Sequence, residues 1–133
     1  MARPFFDTNI LLYLVGSDPA KADRAEALLA GGGVISVQVL NEFASVASRK
    51  QRMPWPEIED VLRSFRALCR VEPLTVENHD KALQLARDRA FSLYDAMIVA
   101  SALGAQCDTL YSEDLQHGRR IDRTLAIRNP FRP

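Results

Sequence analysis

Short apolar runs alternate with longer stretches of helical periodicity along this chain. Arg3 to Phe6 predicts a short strand that stops at Asp7. Thr8 to Val15 predicts an apolar helix ending at Gly16. Pro19 to Ala30 is Ala-rich and amphipathic, with Asp18 placed to cap it and Pro19 at the first helical position. Gly31-Gly32-Gly33 stops that helix. The triplet fits neither a dinucleotide fingerprint nor a phosphate loop with its Lys, so it reads as a helix stop and tight turn. Val34 to Ser36 is a second strand, and Gln38 to Arg49 a helix with Val39, Phe43 and Val46 on one face. Met53-Pro54-Trp55-Pro56 breaks the pattern, and a helix follows from Pro56 to about Cys69. Val71 to Leu74 predicts a third strand, and Thr75 or Val76 to Ala90 the next helix. Ser92 caps a helix that runs to Leu103 and stops at Gly104. Cys107 to Tyr111 predicts a fourth strand, and Arg120 to Ile127 has room for a fifth before the Asn129-Pro130-Phe131 turn.

Strands separated by helices imply an α/β fold, a parallel sheet with helices on both faces. A length of 133 residues without repeats, linkers or low-complexity segments predicts one domain over residues 1–133. Composition adds little: 47% hydrophobic and 26% charged residues are ordinary globular usage, which excludes disorder. The charge balance matters more. Seventeen basic and seventeen acidic residues cancel, which removes the bulk-basic signature of a tail-driven nucleic-acid binder while leaving room for a local patch. Cys69 and Cys107 form no zinc-like spacing and read as buried thiols of a reduced cytosolic protein rather than a disulfide. No apolar run reaches the ~20 residues of a membrane span. Asp7 also comes too early for a signal-peptide core, so a soluble, cytoplasmic protein is expected.

In parallel α/β sheets, sites form outside the carboxyl ends of the strands. Asp7 immediately follows the first predicted strand, and Asp114 lies three positions past the end of the fourth. Asp95 is the one charged residue between Ser92 and Gln106 and falls within the apolar face of its helix, between Ile98, Val99 and Ala102. Glu42 sits at the margin of the Val39/Phe43/Val46 stripe. Each acid also has a plainer reading. Asp7 fits an N-cap, and Asp95 fits a capping box with Ser92. Glu42 is within reach of Arg49 or Lys50, and Asp114 fits a turn. Together the four carry a different weight. Two charges ~4 Å apart repel by about 4 kcal/mol at an effective dielectric of ~20, so convergence demands a cation or raised pKa values. Hard carboxylate oxygens without a paired His or Cys suit Mg²⁺ or Mn²⁺ rather than Zn²⁺. Neither His79 nor His117 has metal-pair spacing. The chemistry that follows is phosphodiester hydrolysis, with Thr8, Asn9 and Ser112 as polar neighbours able to orient the acids.

Four blocks of the chain then resemble the PIN-domain family of ribonucleases, and within it the VapC-like toxins of type II toxin–antitoxin pairs. They are Phe6-Asp7-Thr8-Asn9-Ile10-Leu11, Ser36-Val37-Gln38-Val39-Leu40-Asn41-Glu42-Phe43, the run from Leu93 to Ala102 around Asp95, and Leu110-Tyr111-Ser112-Glu113-Asp114-Leu115-Gln116-His117-Gly118. They fall in family order across most of the chain. The resemblance implies a three-layer α/β/α sandwich with a five-stranded parallel sheet. It implies Asp7, Glu42, Asp95 and Asp114 as the catalytic acids holding Mg²⁺ or Mn²⁺, with one or two ions left open. It further implies metal-dependent endoribonuclease activity on RNA, a homodimer and a cognate antitoxin protein. Ser112 stands where the family often has Thr, and both supply a hydroxyl. The alternative is a non-catalytic PIN-type module that binds RNA or protein. A phosphatase using Asp7 as nucleophile would need an acid two positions on, where Asn9 stands. A small-molecule domain of the doubly wound kind would need a glycine-rich phosphate loop.

Substrate contacts are less specific. Arg119, Arg120, Arg123, Arg128 and Arg132 fit either an RNA backbone contact or a solvated chain end, as does the run Arg49, Lys50 and Arg52. Trp55 reads as a packing anchor on a loop, or as part of a partner groove.

Overall fold

A computed structural model describes residues 3–132 of the chain. Met1, Ala2 and Pro133, which belong to the predicted single domain, lie outside the described residues. The elements alternate as the hydrophobic pattern requires. Strand β1 is Phe5–Phe6, followed by helix α1 (Thr8–Leu12), a 3₁₀ turn (Tyr13–Val15) and helix α2 (Pro19–Ala30). Then come β2 (Gly33–Ser36), α3 (Val37–Arg49), α4 (Trp55–Leu68), β3 (Cys69–Glu72), α5 (Val76–Arg89) and α6 (Leu93–Gly104). The chain closes with β4 (Thr109–Tyr111), β5 (Arg120–Ile121) and β6 (Leu125–Arg128).

The strands form one sheet in the order β3-β2-β1-β4-β6-β5. Five of them are parallel, and β5 pairs with β6 antiparallel. The expected five-stranded parallel sheet is therefore present and carries a two-residue antiparallel edge. The predicted fifth strand, Arg120 to Ile127, is split by a turn in which Thr124 N–H donates to the Ile121 carbonyl at 3.2 Å. Asp122 and Arg123 both have positive φ there, the geometry that favours tight hairpins.

Successive strand residues face opposite sides of a sheet. Phe5 and Phe6 are both fully buried, as are the consecutive residues of β2, so helices cover both faces at the centre. On one side α5 packs on α6, which lies over β2 and β4; α1 packs on α3, and α3 on α4. Phe43 meets Phe65 edge-on with ring centroids 4.9 Å apart, joining α3 to α4. Gly33 begins β2 where a Cβ would stand 2.7 Å from the Pro4 carbonyl oxygen and 2.4 Å from the Phe6 ring. Only glycine lets β1 and β2 approach this closely.

Several boundaries move for physical reasons. The first predicted helix tightens into 3₁₀ at Tyr13, whose ring is held edge-on to Phe131. The third strand begins at Cys69 rather than Val71, because Cys69 is already extended and Pro73 lacks the N–H to continue pairing. Trp55 lies in the first turn of α4, not on a loop, and is 59% exposed rather than a packing anchor. Both cysteines are free, and burial pushes their thiols up to about 11. No helix of the described residues is long and apolar enough to cross a membrane.

Candidate active site

The chain leaves β1 toward β2 on one side and leaves β4 toward β6 on the other. The carboxyl ends of β1 and β4 therefore flank the point where strand order reverses, which is where doubly wound sheets open a crevice. Asp7 and Ser112 are the first residues past those two ends, and the Asp7 N–H donates to the Tyr111 carbonyl at 2.9 Å. Ser36 ends β2 and caps α3, which raises Glu42 into the same region.

Each predicted polar neighbour holds one acid. The Ser112 hydroxyl donates to Asp7 Oδ2 at 2.7 Å and accepts the N–H groups of Asp114 and Leu115, both at 3.2 Å. The Thr8 hydroxyl donates to Glu42 Oε1 at 2.9 Å. The Asn9 amide donates to Asp114 Oδ2 at 3.0 Å, and its oxygen accepts the Glu113 N–H at 3.2 Å. Asp7 also caps α1, with Oδ1 accepting the Thr8 N–H at 2.7 Å. Its capping and site readings thus coincide in one carboxylate.

Asp7 is 7% exposed. Burial pushes its carboxyl up to about 6. The hydrogen bonds from Ser112 and Thr8 oppose that rise, and the charges of Glu42 and Asp114 add to it. Two of the other three predicted acids, Glu42 and Asp114, are therefore within electrostatic reach of Asp7. Asp95 is not among the charges that act on Asp7. It lies in the first turn of α6, half-buried, with its N–H donated to the Ser92 hydroxyl at 3.2 Å. Its carboxylate makes no return bond, so the predicted capping box is half-formed. A strap ties it to the others: the Gln38 amide donates to the Tyr94 carbonyl at 3.1 Å and reaches Glu42 Oε1 at 3.5 Å. The acids are neighbours rather than a ready-made cage. Among the described residues, no group of three or more carboxylates, imidazoles or thiols is set to hold one ion.

The donor set still fits a hard divalent cation. It is all oxygen, one member is buried with a raised pKa, and Mg²⁺ retains several waters, so it needs one or two direct carboxylates. Glu42 does not pair with Arg49, whose Nε instead donates to the Ser45 hydroxyl at 3.1 Å. His79 is exposed, and the His117 Nδ1 accepts the Asn129 N–H at 2.9 Å, a brace for the C-terminal turn.

Sequence reasoning missed a second tier. Lys21 Nζ donates to Glu113 Oε2 at 2.5 Å and to the Tyr13 hydroxyl at 3.1 Å, and Tyr13 donates to the other Glu113 oxygen. The ammonium also sits over the Tyr13 and Phe131 rings. Burial works against the Glu113 charge, but the bonds from Lys21 and Tyr13 outweigh it and lower its pKa. The Glu113 carboxylate in turn raises that of Lys21. These contacts pin the loop that carries Asp114. Gln38, which links Glu42 to the Tyr94 carbonyl, was missed as well, although an amide one position from the apolar stripe of its helix is a visible signal.

Comparison with known proteins agrees with this architecture. The PIN domain model matches residues 5–123, and the chain belongs to the PIN domain family. Its fold is shared with the VapC20 toxin of Mycobacterium tuberculosis, a sarcin–ricin loop cleaving toxin. That match has 23% identity and a TM-score of 0.68 over 84% of this chain and 89% of the other. A toxin–antitoxin complex from Klebsiella pneumoniae matches at 18% identity and TM-score 0.73, covering 96% and 98%. The DNA-bound VapBC complex of Salmonella typhimurium matches at 21% identity and TM-score 0.70, covering 98% and 99%. No curated protein sequence matches the chain.

Proposed function

We propose that this protein is a metal-dependent endoribonuclease, the toxin of a type II toxin–antitoxin pair. The observation that carries the reading is the placement of Asp7, Glu42 and Asp114 at the reversal of strand order, each held by its own polar neighbour. The burial-strained Asp7 carboxyl supports the reading further. Membership of the PIN domain family and the toxins among the structural neighbours favour RNA as substrate and an antitoxin protein as partner. A homodimer, a single domain and a cytoplasmic setting complete the proposal.

In this reading Asp7, Glu42, Asp95 and Asp114 hold Mg²⁺ or Mn²⁺. When bound, the ion supplies an activated water and neutralises charge developing on the phosphate. The chain itself orients the donors. Ser112 aims Oδ2 of Asp7, Thr8 fixes one oxygen of Glu42, and Asn9 fixes one oxygen of Asp114. The first turn of α6 places Asp95 where the helix dipole favours a carboxylate.

The test is RNA cleavage by the purified protein with Mg²⁺ or Mn²⁺, then with EDTA, beside Asp95→Asn. Cleavage that requires metal and disappears in the variant, with the variant still folded, supports the assignment. Marked unfolding of Asp95→Asn would instead return Asp95 to a capping role. A wild type that binds RNA without cutting it under any metal would make the chain a binding module.

A further inference from the structure

A groove of about 650 Å³ opens beside Glu42, between α3 and the start of α6. One wall is a helical stripe: Gln38, Asn41, Ser45 and Arg49 recur at the spacing that places side chains along one face of α3. The other wall carries Tyr94 and Met97 from α6. The groove thus begins at an acid of the candidate site and ends at a guanidinium.

We propose that this groove seats a nucleotide next to the cleaved phosphate of single-stranded RNA, with Tyr94 as its stacking platform and Arg49 as its phosphate clamp. The inference rests on the nuclease reading above and names a subsite for it. Tyr94 is 67% exposed although its neighbours Ala96 and Ile98 are buried, so its ring is presented to solvent. The backbone beneath the ring is fixed, because the Tyr94 carbonyl accepts the Gln38 amide. Aromatic faces exposed beside a basic group are how single strands are bound without duplex readout. Arg49 is likewise pre-set. Its Nε is taken by Ser45, and no carboxylate among the described residues forms an ion pair with it, so its terminal nitrogens remain to meet an anion. Gln38 lines the groove, and its Oε1 is a buried acceptor without a partner among the described residues, which a small side-chain turn would offer to the exocyclic amine of a base. The volume suits one base with its ribose. The lining is mostly apolar, which suits the flat face of a base, while Arg49 and the α3 amides supply a polar edge that an apolar peptide would leave unmatched.

The experiment is anisotropy of a fluorescent ten-nucleotide single-stranded RNA of mixed sequence on the cleavage-dead Asp95→Asn protein in Mg²⁺, at two salt concentrations. Adding Tyr94→Ala is expected to weaken binding roughly ten- to hundredfold, while Tyr94→Phe, which keeps the stacking face, binds like the parent. Adding Arg49→Ala is expected to weaken binding and to lower the salt dependence by about one counterion. A 2-aminopurine placed in the RNA should be quenched by the parent and by Tyr94→Phe but not by Tyr94→Ala. Wild-type cleavage of RNA combined with unchanged binding in Tyr94→Ala and Arg49→Ala overturns this subsite alone and leaves the groove to an apolar protein segment. Equal losses in Tyr94→Phe and Tyr94→Ala overturn the stacking role. Absence of both cleavage and binding overturns the nuclease reading along with the subsite.

Discussion

Replacing Asp7 with Asn should make the metal-free protein more stable at neutral pH while removing its activity. The native carboxyl is pushed up to about 6 from an ordinary value of 3.8. A rise of that size costs the charged form roughly 3 kcal/mol. The folded state binds the proton more tightly than the unfolded state. Its contribution to stability is therefore fully present below pH 4 and is lost as pH rises through about 6. Roughly 1.5 kcal/mol of that loss falls between pH 5.0 and 7.5. Asn removes the charge but returns part of the gain. Its amide would face Ser112 Oγ, which already accepts two N–H groups and whose single proton points at Asp7. One lost hydrogen bond costs about 1 kcal/mol.

The net expectation at pH 7.5 is a gain of about 1–2 kcal/mol for Asp7→Asn in EDTA, falling to near zero or below at pH 5.0. Urea unfolding followed by circular dichroism at both pH values measures it. Other groups titrate in this range, so the quantity to compare is the difference between wild type and variant, which cancels them. Parallel stabilities of the two proteins from pH 5.0 to 7.5 would refute the reasoning, because Asp7 would then titrate as an ordinary carboxylate. A variant less stable than wild type at pH 7.5 would refute it too, by showing that the cap and the Ser112 bond outweigh the strain.

Three other perturbations probe different levels of the structure. Gly33→Ala drives a methyl into the Pro4 carbonyl and Phe6 ring and should lose roughly 1–3 kcal/mol in urea unfolding. Lys21→Met leaves Glu113 without its cation in a half-buried pair, so stability should fall by about 1 kcal/mol while RNA cleavage falls roughly tenfold, most at limiting Mg²⁺. Ser112→Ala leaves the Asp114 and Leu115 N–H groups unpaired and should lose roughly 1–3 kcal/mol. It should also move the Asp7 titration above 6, seen as a displaced pH dependence of stability.

The sheet and most helices were legible because their signals are local. Asp18-Pro19 opens a helix by capping chemistry, and the Ser92 cap falls where the apolar period starts. The acids were legible as charges placed at strand ends or on apolar helix faces, where charge is otherwise excluded. The split of the last strand was not legible. It depends on Asp122 and Arg123 adopting left-handed φ, which no glycine announced. The Lys21–Glu113 pair lies 92 positions apart and was invisible for a different reason. Both residues read as ordinary solvated charges until the sheet brings α2 beside the loop after β4. Asp95 shows the opposite limit: its pattern was clear, but sequence could not say how far it stands from the other three.

Asp-Thr-Asn after β1 shows why stability and site are inseparable at this sheet edge. The three residues open α1 as an ordinary helix start, and each simultaneously binds or presents a different carboxylate. The first is itself the strained acid, the second holds Glu42, and the third holds Asp114. A chain selected for stability alone would place Asn or Ser at position 7, since either caps a helix without a buried charge. Retaining Asp keeps about 3 kcal/mol of electrostatic strain in the metal-free fold. On the proposed metal-dependent reading a bound cation would relieve that strain, so ligand affinity and apo instability would be two readings of the same desolvated carboxylate.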